Sequence, residues 1–267
     1  MTEPERKLPH TATYCGKDGA VAWSGNVVSE TEAFSKFLRG PVKARLVDEE
    51  EASAFEAEMK SFRTSKMNDN FLEDFFKTTE SSKPWEVGEA LAECLLENDV
   101  EKNVAWPWNN VRDRKTPKAS LPGADLVGFI KEDERAFLLF GEVKTSSDIN
   151  SPPGVMYGSS GMTWQLHDEA TRFDVQHSLL RWLRTRCTTT ELKQLYRKAI
   201  KEFVQSNGKS IVLVGMLLRD TSPNENDVKG RAEALSAKIS HPTSAEVNAW
   251  YLPVQIDEWP KIAGGGQ

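Results

Sequence analysis

The spacing of hydrophobic and polar positions changes period several times along the chain. Two apolar runs, Ala124 to Ile130 and Ala136 to Val143, flank the polar stretch Lys131-Glu132-Asp133-Glu134-Arg135 and predict a β-hairpin. Ile211 to Leu218 is almost continuously apolar and predicts a central strand buried on both faces. Ala52, Phe55, Met59 and Phe62 recur at helical spacing within an acidic segment, so one face packs and the other is solvated. Further helices are predicted over Phe71 to Lys77, from Pro84 to about Asn98, over Trp164 to Arg186 and Glu191 to Gln205, and near Val228 to Ile239. Short strands are predicted over Val42 to Val47, around Val104-Ala105-Trp106, and near Val247 to Ile256. Residues 1 to about 40 give no clear period. Ser146 to Gly161 is a Ser/Gly/Pro-rich loop, long enough to be suspected of function.

Ser81-Ser82-Lys83-Pro84 breaks the pattern, and Pro84 suits the first position of a helix. The chain is therefore divided into an N-terminal accessory region, 1–83, and a core, 84–267. Strands and helices interleave in that core. The expectation is an α/β fold with a mixed central sheet flanked by helices.

Composition narrows the function classes. With 267 residues, 39% hydrophobic, and with eight Trp and twelve Phe, the chain can bury a full core without staples. No run approaches the roughly twenty apolar residues of a membrane span, and Met1-Thr2-Glu3-Pro4 does not open a signal peptide. Cys15, Cys94 and Cys187 form neither a disulfide framework nor a CxxC site, so a reduced, cytoplasmic protein without membrane attachment is expected. The net charge of −6 argues against non-specific coating of nucleic acid. It does not argue against a nucleic-acid enzyme, because the charge is uneven. Arg181, Arg184, Arg186, Lys193, Arg197, Lys198 and Lys201 face only Glu191, and a second basic group holds Arg112, Arg114, Lys115 and Lys118. Either these contact phosphates, with Arg112, Arg114, Lys115, Arg181 and Arg184 as the candidates, or they are solvated surface. No phosphate-binding glycine loop occurs, and His10, His167, His177 and His241 do not fall at metal-ligand spacing.

Candidate chemistry converges on the hairpin. Acid-x-Lys triplets are common here, but of six only Glu142-Val143-Lys144 ends a run as apolar as Phe137-Leu138-Leu139-Phe140. Alternation puts Glu142 and Lys144 on one face and Val143 on the other. A turn at Asp133-Glu134 makes paired positions sum to 267, which sets Asp125 opposite Glu142. Two facing carboxylates destabilise a sheet unless a cation lies between them. With a Lys beside them they suit a hard divalent ion and an activated water, or else a buried salt-bridge cluster. Glu89 is a fourth candidate: its helix is apolar on two sides, so it need not face water.

A helical Glu, then Gly123-Ala124-Asp125-Leu126-Val127-Gly128-Phe129, then Phe140-Gly141-Glu142-Val143-Lys144, resembles the core of the PD-(D/E)xK nuclease superfamily over roughly residues 85 to 220. Ala124 stands where the motif's name has Pro. The resemblance implies a restriction-endonuclease-like core that hydrolyses DNA phosphodiester bonds. It implies Mg²⁺, which Mn²⁺ can replace, held by Asp125, Glu142 and the Val143 carbonyl, with Glu89 assisting. Lys144 would orient or activate the attacking water. A Gln in the next helix often belongs to such sites; Gln165 is the candidate, and Gln176 the second. Length and layout, with the Gly88-Glu89-Ala90-Leu91 helix, are also similar to HamA, the nuclease subunit of Hachiman anti-phage defence, which implies a helicase partner, HamB. A stand-alone restriction-type endonuclease shares these residues. So does a non-catalytic subunit with a decayed nuclease fold, although intact Asp125, Glu142 and Lys144 count against that.

Overall fold

A computed structural model describes residues 7–47, 49–63, 66–77, 82–99, 102–108 and 123–264. The basic group Arg112, Arg114, Lys115 and Lys118 lies outside the described residues. The strands are β1 (Thr11–Asp18), β2 (Val21–Val27), β3 (Val104–Ala105), β4 (Leu126–Glu132), β5 (Arg135–Ser146), β6 (Ile211–Arg219) and β7 (Ser244–Tyr251). Among the described residues they form one seven-stranded sheet in the order β1-β2-β7-β6-β5-β4-β3. β2, β7, β6 and β5 run parallel, and β1, β4 and β3 are antiparallel to their neighbours. The fold is the mixed α/β, restriction-endonuclease-like arrangement that the element order predicts.

The hairpin register is as read from the turn: Leu126 pairs with Gly141 and Glu132 with Arg135, so paired numbers sum to 267. Asp133 turns the chain at φ 37°, a left-handed conformation that Asp tolerates. β6, between β5 and β7, is buried along nearly its whole length, as its unbroken apolar character requires.

Helices cover both faces. On one side lie α6 (Met162–Thr171), α7 (Phe173–Arg186), α8 (Thr190–Gln205) and α9 (Lys229–Ser236), packed on Leu138, Phe140, Val127 and Phe129. On the other lie α1 (Thr31–Phe37), α5 (Pro84–Glu97) and α10 (Trp259–Ala263), packed on Leu139, Val143 and Leu126. Two glycines bring helices against the sheet near the end of β5. A Cβ on Gly215 would meet Met162 Sδ of α6 at 2.6 Å, and one on Gly88 of α5 would meet Thr145 Cγ2 at 2.5 Å.

Three expectations change. Val42 to Val47 is not a strand: α1 continues through a wider turn, Leu38–Val42, into α2 (Lys43–Leu46). Val42 and Leu38 are needed in the core beside Phe34 and Phe37, and a helical path delivers them there. The helix predicted over Trp164 to Arg186 is two, because Arg172 is extended and joins Asp168 and Asp174 by ion pairs at 3.1 and 2.6 Å. The residues before Pro84 are also not uniform. β1 and β2 belong to the central sheet, α1 packs in the same core as α5, and the buried Glu93 of α5 pairs with Arg45 of α2. Helices α3 (Glu49–Ser61) and α4 (Lys66–Lys77) carry exposed Phe55, Phe62, Phe71 and Phe75.

Candidate active site

β5 carries Glu142 and Lys144 on the α6 side of the sheet, in line with buried Phe140 and Leu138. Glu142 is 1% exposed, and Lys144 Nζ donates to its Oε2 at 2.9 Å. Asp125 immediately precedes β4. Its amide donates to the Gly141 carbonyl at 2.9 Å, and its Oδ2 accepts from the Val143 amide at 2.9 Å. A carboxylate thus takes the place of the next backbone acceptor where β4 begins. The N–H and C=O of a strand residue point to the same edge, so the Val143 carbonyl is presented on the side of Asp125. The expected cluster of Asp125, Glu142 and Lys144, with the Val143 backbone, is brought together.

A further carboxyl completes it. Glu169, near the end of α6, is 1% exposed and lies against Glu142, and neither of its oxygens meets a donor. Such contact is favourable only with a proton or a cation between the groups. Burial, and then the neighbouring Asp125, push Glu142 up to about 7 despite Lys144. Burial and Glu142 push Glu169 well above the usual carboxylate range. Met162, Leu166 and Glu169 stand at helical spacing on one stripe, which is the sequence signal that could have revealed this residue.

The remaining candidates separate. Gln165 lies one helical turn before Glu169, and its buried Oε1 also lacks a donor. Gln176 serves the fold instead: its Nε2 donates to the carbonyls of Glu169 and Ala170 at 3.0 and 2.9 Å, closing the end of α6. Half-buried Glu89 sits on α5, so its helix packs on the face of the sheet opposite the Glu142 and Lys144 side chains. Arg181 and Arg184 are exposed on α7. Lys198 and Arg135, by contrast, pair with Glu134 and Glu202 near the hairpin turn, at the end of β5 away from Glu142.

Residues 20–241 match the family model HamA. The chain belongs to the HamA family. HamA is a component of Hachiman anti-phage defence, and the Asp125, Glu142 and Lys144 positions are those of its PD-(D/E)xK-type core. No curated protein and no solved structure matches the chain. No helix among the described residues is long and apolar enough to cross a membrane.

The donor set was compared with the needs of the divalent ion such a core implies. Among the described residues no three His, Cys, Asp or Glu side chains already converge as ligands. The chemistry nevertheless fits: every donor is oxygen, as a hard cation requires, and Glu169 is a buried carboxyl without a partner. Lys144 occupies Glu142 meanwhile. A carboxyl whose folded value is raised from 4.5 to about 7 contributes stability that is complete below the lower value and is lost as pH rises through the upper one. In EDTA, the melting temperature should therefore fall between about pH 5 and pH 8. Mg²⁺ added at the alkaline end should restore part of it. A melting temperature that rises over this interval in EDTA would contradict the repulsion between these carboxyls.

Proposed function

We propose that the chain is a metal-dependent nuclease that hydrolyses DNA phosphodiester bonds, the effector of a Hachiman complex with a helicase partner of the HamB kind. One observation carries this reading: an ammonium and three carboxyls, two of them buried, gather where β4 begins beside β5. Asp125, Glu142 and the Val143 carbonyl would hold Mg²⁺ or Mn²⁺. The ion, when bound, supplies a Lewis acid at the scissile phosphate and a water of lowered pKa.

The chain's own groups do the rest. The Val143 amide fixes the Asp125 carboxylate, so that this ligand is oriented in advance. Lys144, released from Glu142 when that carboxylate takes the cation, places its ammonium where charge develops on the phosphate oxygens. α6 covers the site and keeps Glu142 and Glu169 from water, which strengthens each of these electrostatic contacts. Exposed Arg181 and Arg184 on α7 support a phosphate path on the same side of the sheet. An overall charge of −6 supports delivery of DNA by a partner.

The test is incubation of the chain, alone and with the helicase subunit, with plasmid and linear DNA. Mg²⁺ or Mn²⁺ should support cleavage. Ca²⁺, larger and less strict in geometry, should bind without supporting it well. Excess EDTA should stop the reaction, and robust cleavage in EDTA overturns the mechanism.

A further inference from the structure

We propose that Glu169 is a third carboxylate ligand of the cation site, supplied by α6 to join Asp125 and Glu142. The proposal rests on the reading of Asp125 and Glu142 as cation-binding. Its own ground is the state of the Glu169 side chain. It is almost fully buried, lies against the Glu142 carboxyl, and neither oxygen meets a donor. The nearby positive group is Lys144, whose ammonium already donates to Glu142. A buried carboxyl left without a donor is costly, and structures keep one where something else satisfies it.

The fold holds Glu169 in place. Met162 packs into the space left by Gly215, directly beside Glu142 in the sheet, and Leu166 lies next to it. Gln176 closes the last turn of α6 by donating to the carbonyls of Glu169 itself and Ala170. Glu169 therefore cannot turn out to water unless that turn unwinds. The buried Oε1 of Gln165, one turn earlier, is likewise without a donor, so this flank of α6 presents two unsatisfied oxygen groups. Unsatisfied oxygens held dry beside two more carboxylates are the surroundings in which a divalent ion replaces missing donors.

Glu169 as a ligand differs from Glu169 as a neutral packing group in one testable respect. Gln has the shape of the protonated acid, so substitution by Gln leaves a packing group intact and removes a ligand charge. Mn²⁺ is titrated by calorimetry, without DNA, into the metal-free full chain and into Glu142→Gln and Glu169→Gln. Each variant should weaken Mn²⁺ binding at least about tenfold. If Glu142→Gln weakens it and Glu169→Gln does not, Glu169 is a packing residue; the proposal falls and the cation site stands. If neither variant changes the affinity, or the wild type takes up no Mn²⁺, the cation reading falls and this proposal with it. Should Glu169→Gln fail to fold, Glu169→Asp decides: the shorter carboxylate should lose several-fold in affinity, and unchanged binding overturns the proposal.

Discussion

Arg219→Met should lower the unfolding free energy by about 3–5 kcal/mol, because it strands a buried carboxylate. Arg219 ends β6 and is 2% exposed, and Asp227, 1% exposed, accepts from its Nη1 at 3.3 Å. The same guanidinium donates to the carbonyls of Asp148 and Asn150 and, through Nε, to Thr221 at 3.0 Å. Ser151 and Tyr251 donate to Asp227 at 2.6 and 2.9 Å, which is too little for a dry carboxylate that has lost its cation. The substitution also releases the loop from Ser147 to Gly161, which leads into the helix bearing Gln165 and Glu169. Urea unfolding should show a lower midpoint at unchanged slope. Replacing Asp227 by Asn in the same chain should recover part of the loss, since the buried charge then disappears. A change below about 1 kcal/mol would mean that the loop carbonyls, and not the charge pair, dominate at this position.

Much of the site was legible because a hairpin has few degrees of freedom. The polar run Lys131 to Arg135 locates the turn, and period-two alternation then fixes which residues meet; the observed pairing of Leu126 with Gly141 leaves Asp125 beside Glu142 and Val143. β6 was legible for a related reason, since a strand flanked by parallel neighbours and covered on both faces needs an apolar side chain at nearly every position. Helix orientation was not legible. Glu89 stands on a helix apolar on two sides because α5 packs against the sheet and also near α1 and α10, and local spacing does not say which flank meets the chemistry. Glu169 was hidden for the opposite reason. An acid on the stripe of Met162 and Leu166 looks like the edge of an amphipathic face, and only the position of β5 beneath it makes it buried. The break at Arg172 depends on Gln176 reaching back to the end of α6, a side-chain contact that periodicity does not encode. The segment after Pro41 alternates like a strand, yet helical packing of Leu38 and Val42 against Phe34 and Phe37 overrides it.

Lys144→Ala should reduce DNA cleavage by at least about 10²–10³-fold. Lys144 Nζ sits 2.9 Å from Glu142 Oε2 at the entrance of a site whose other groups are negative, so its charge is the chain's own means of stabilising the phosphate as charge builds on it. That stabilisation belongs to the transition state, so the loss should fall on the rate of the chemical step and spare DNA affinity. The fold should survive, because Lys144 is a partly exposed residue near the end of β5, and at saturating Mg²⁺ the cation compensates Glu142 in its place. The reading of these residues as a buried salt-bridge cluster makes the reverse prediction, a loss of stability with no change in chemistry. The deciding measurement is single-turnover cleavage of DNA by wild type and Lys144→Ala at saturating Mg²⁺, with melting temperature and DNA affinity recorded on the same preparations. A rate lowered by two or more orders of magnitude, about 10² at least, at unchanged affinity and melting temperature is the predicted result; cleavage by Lys144→Ala at the wild-type rate would contradict it.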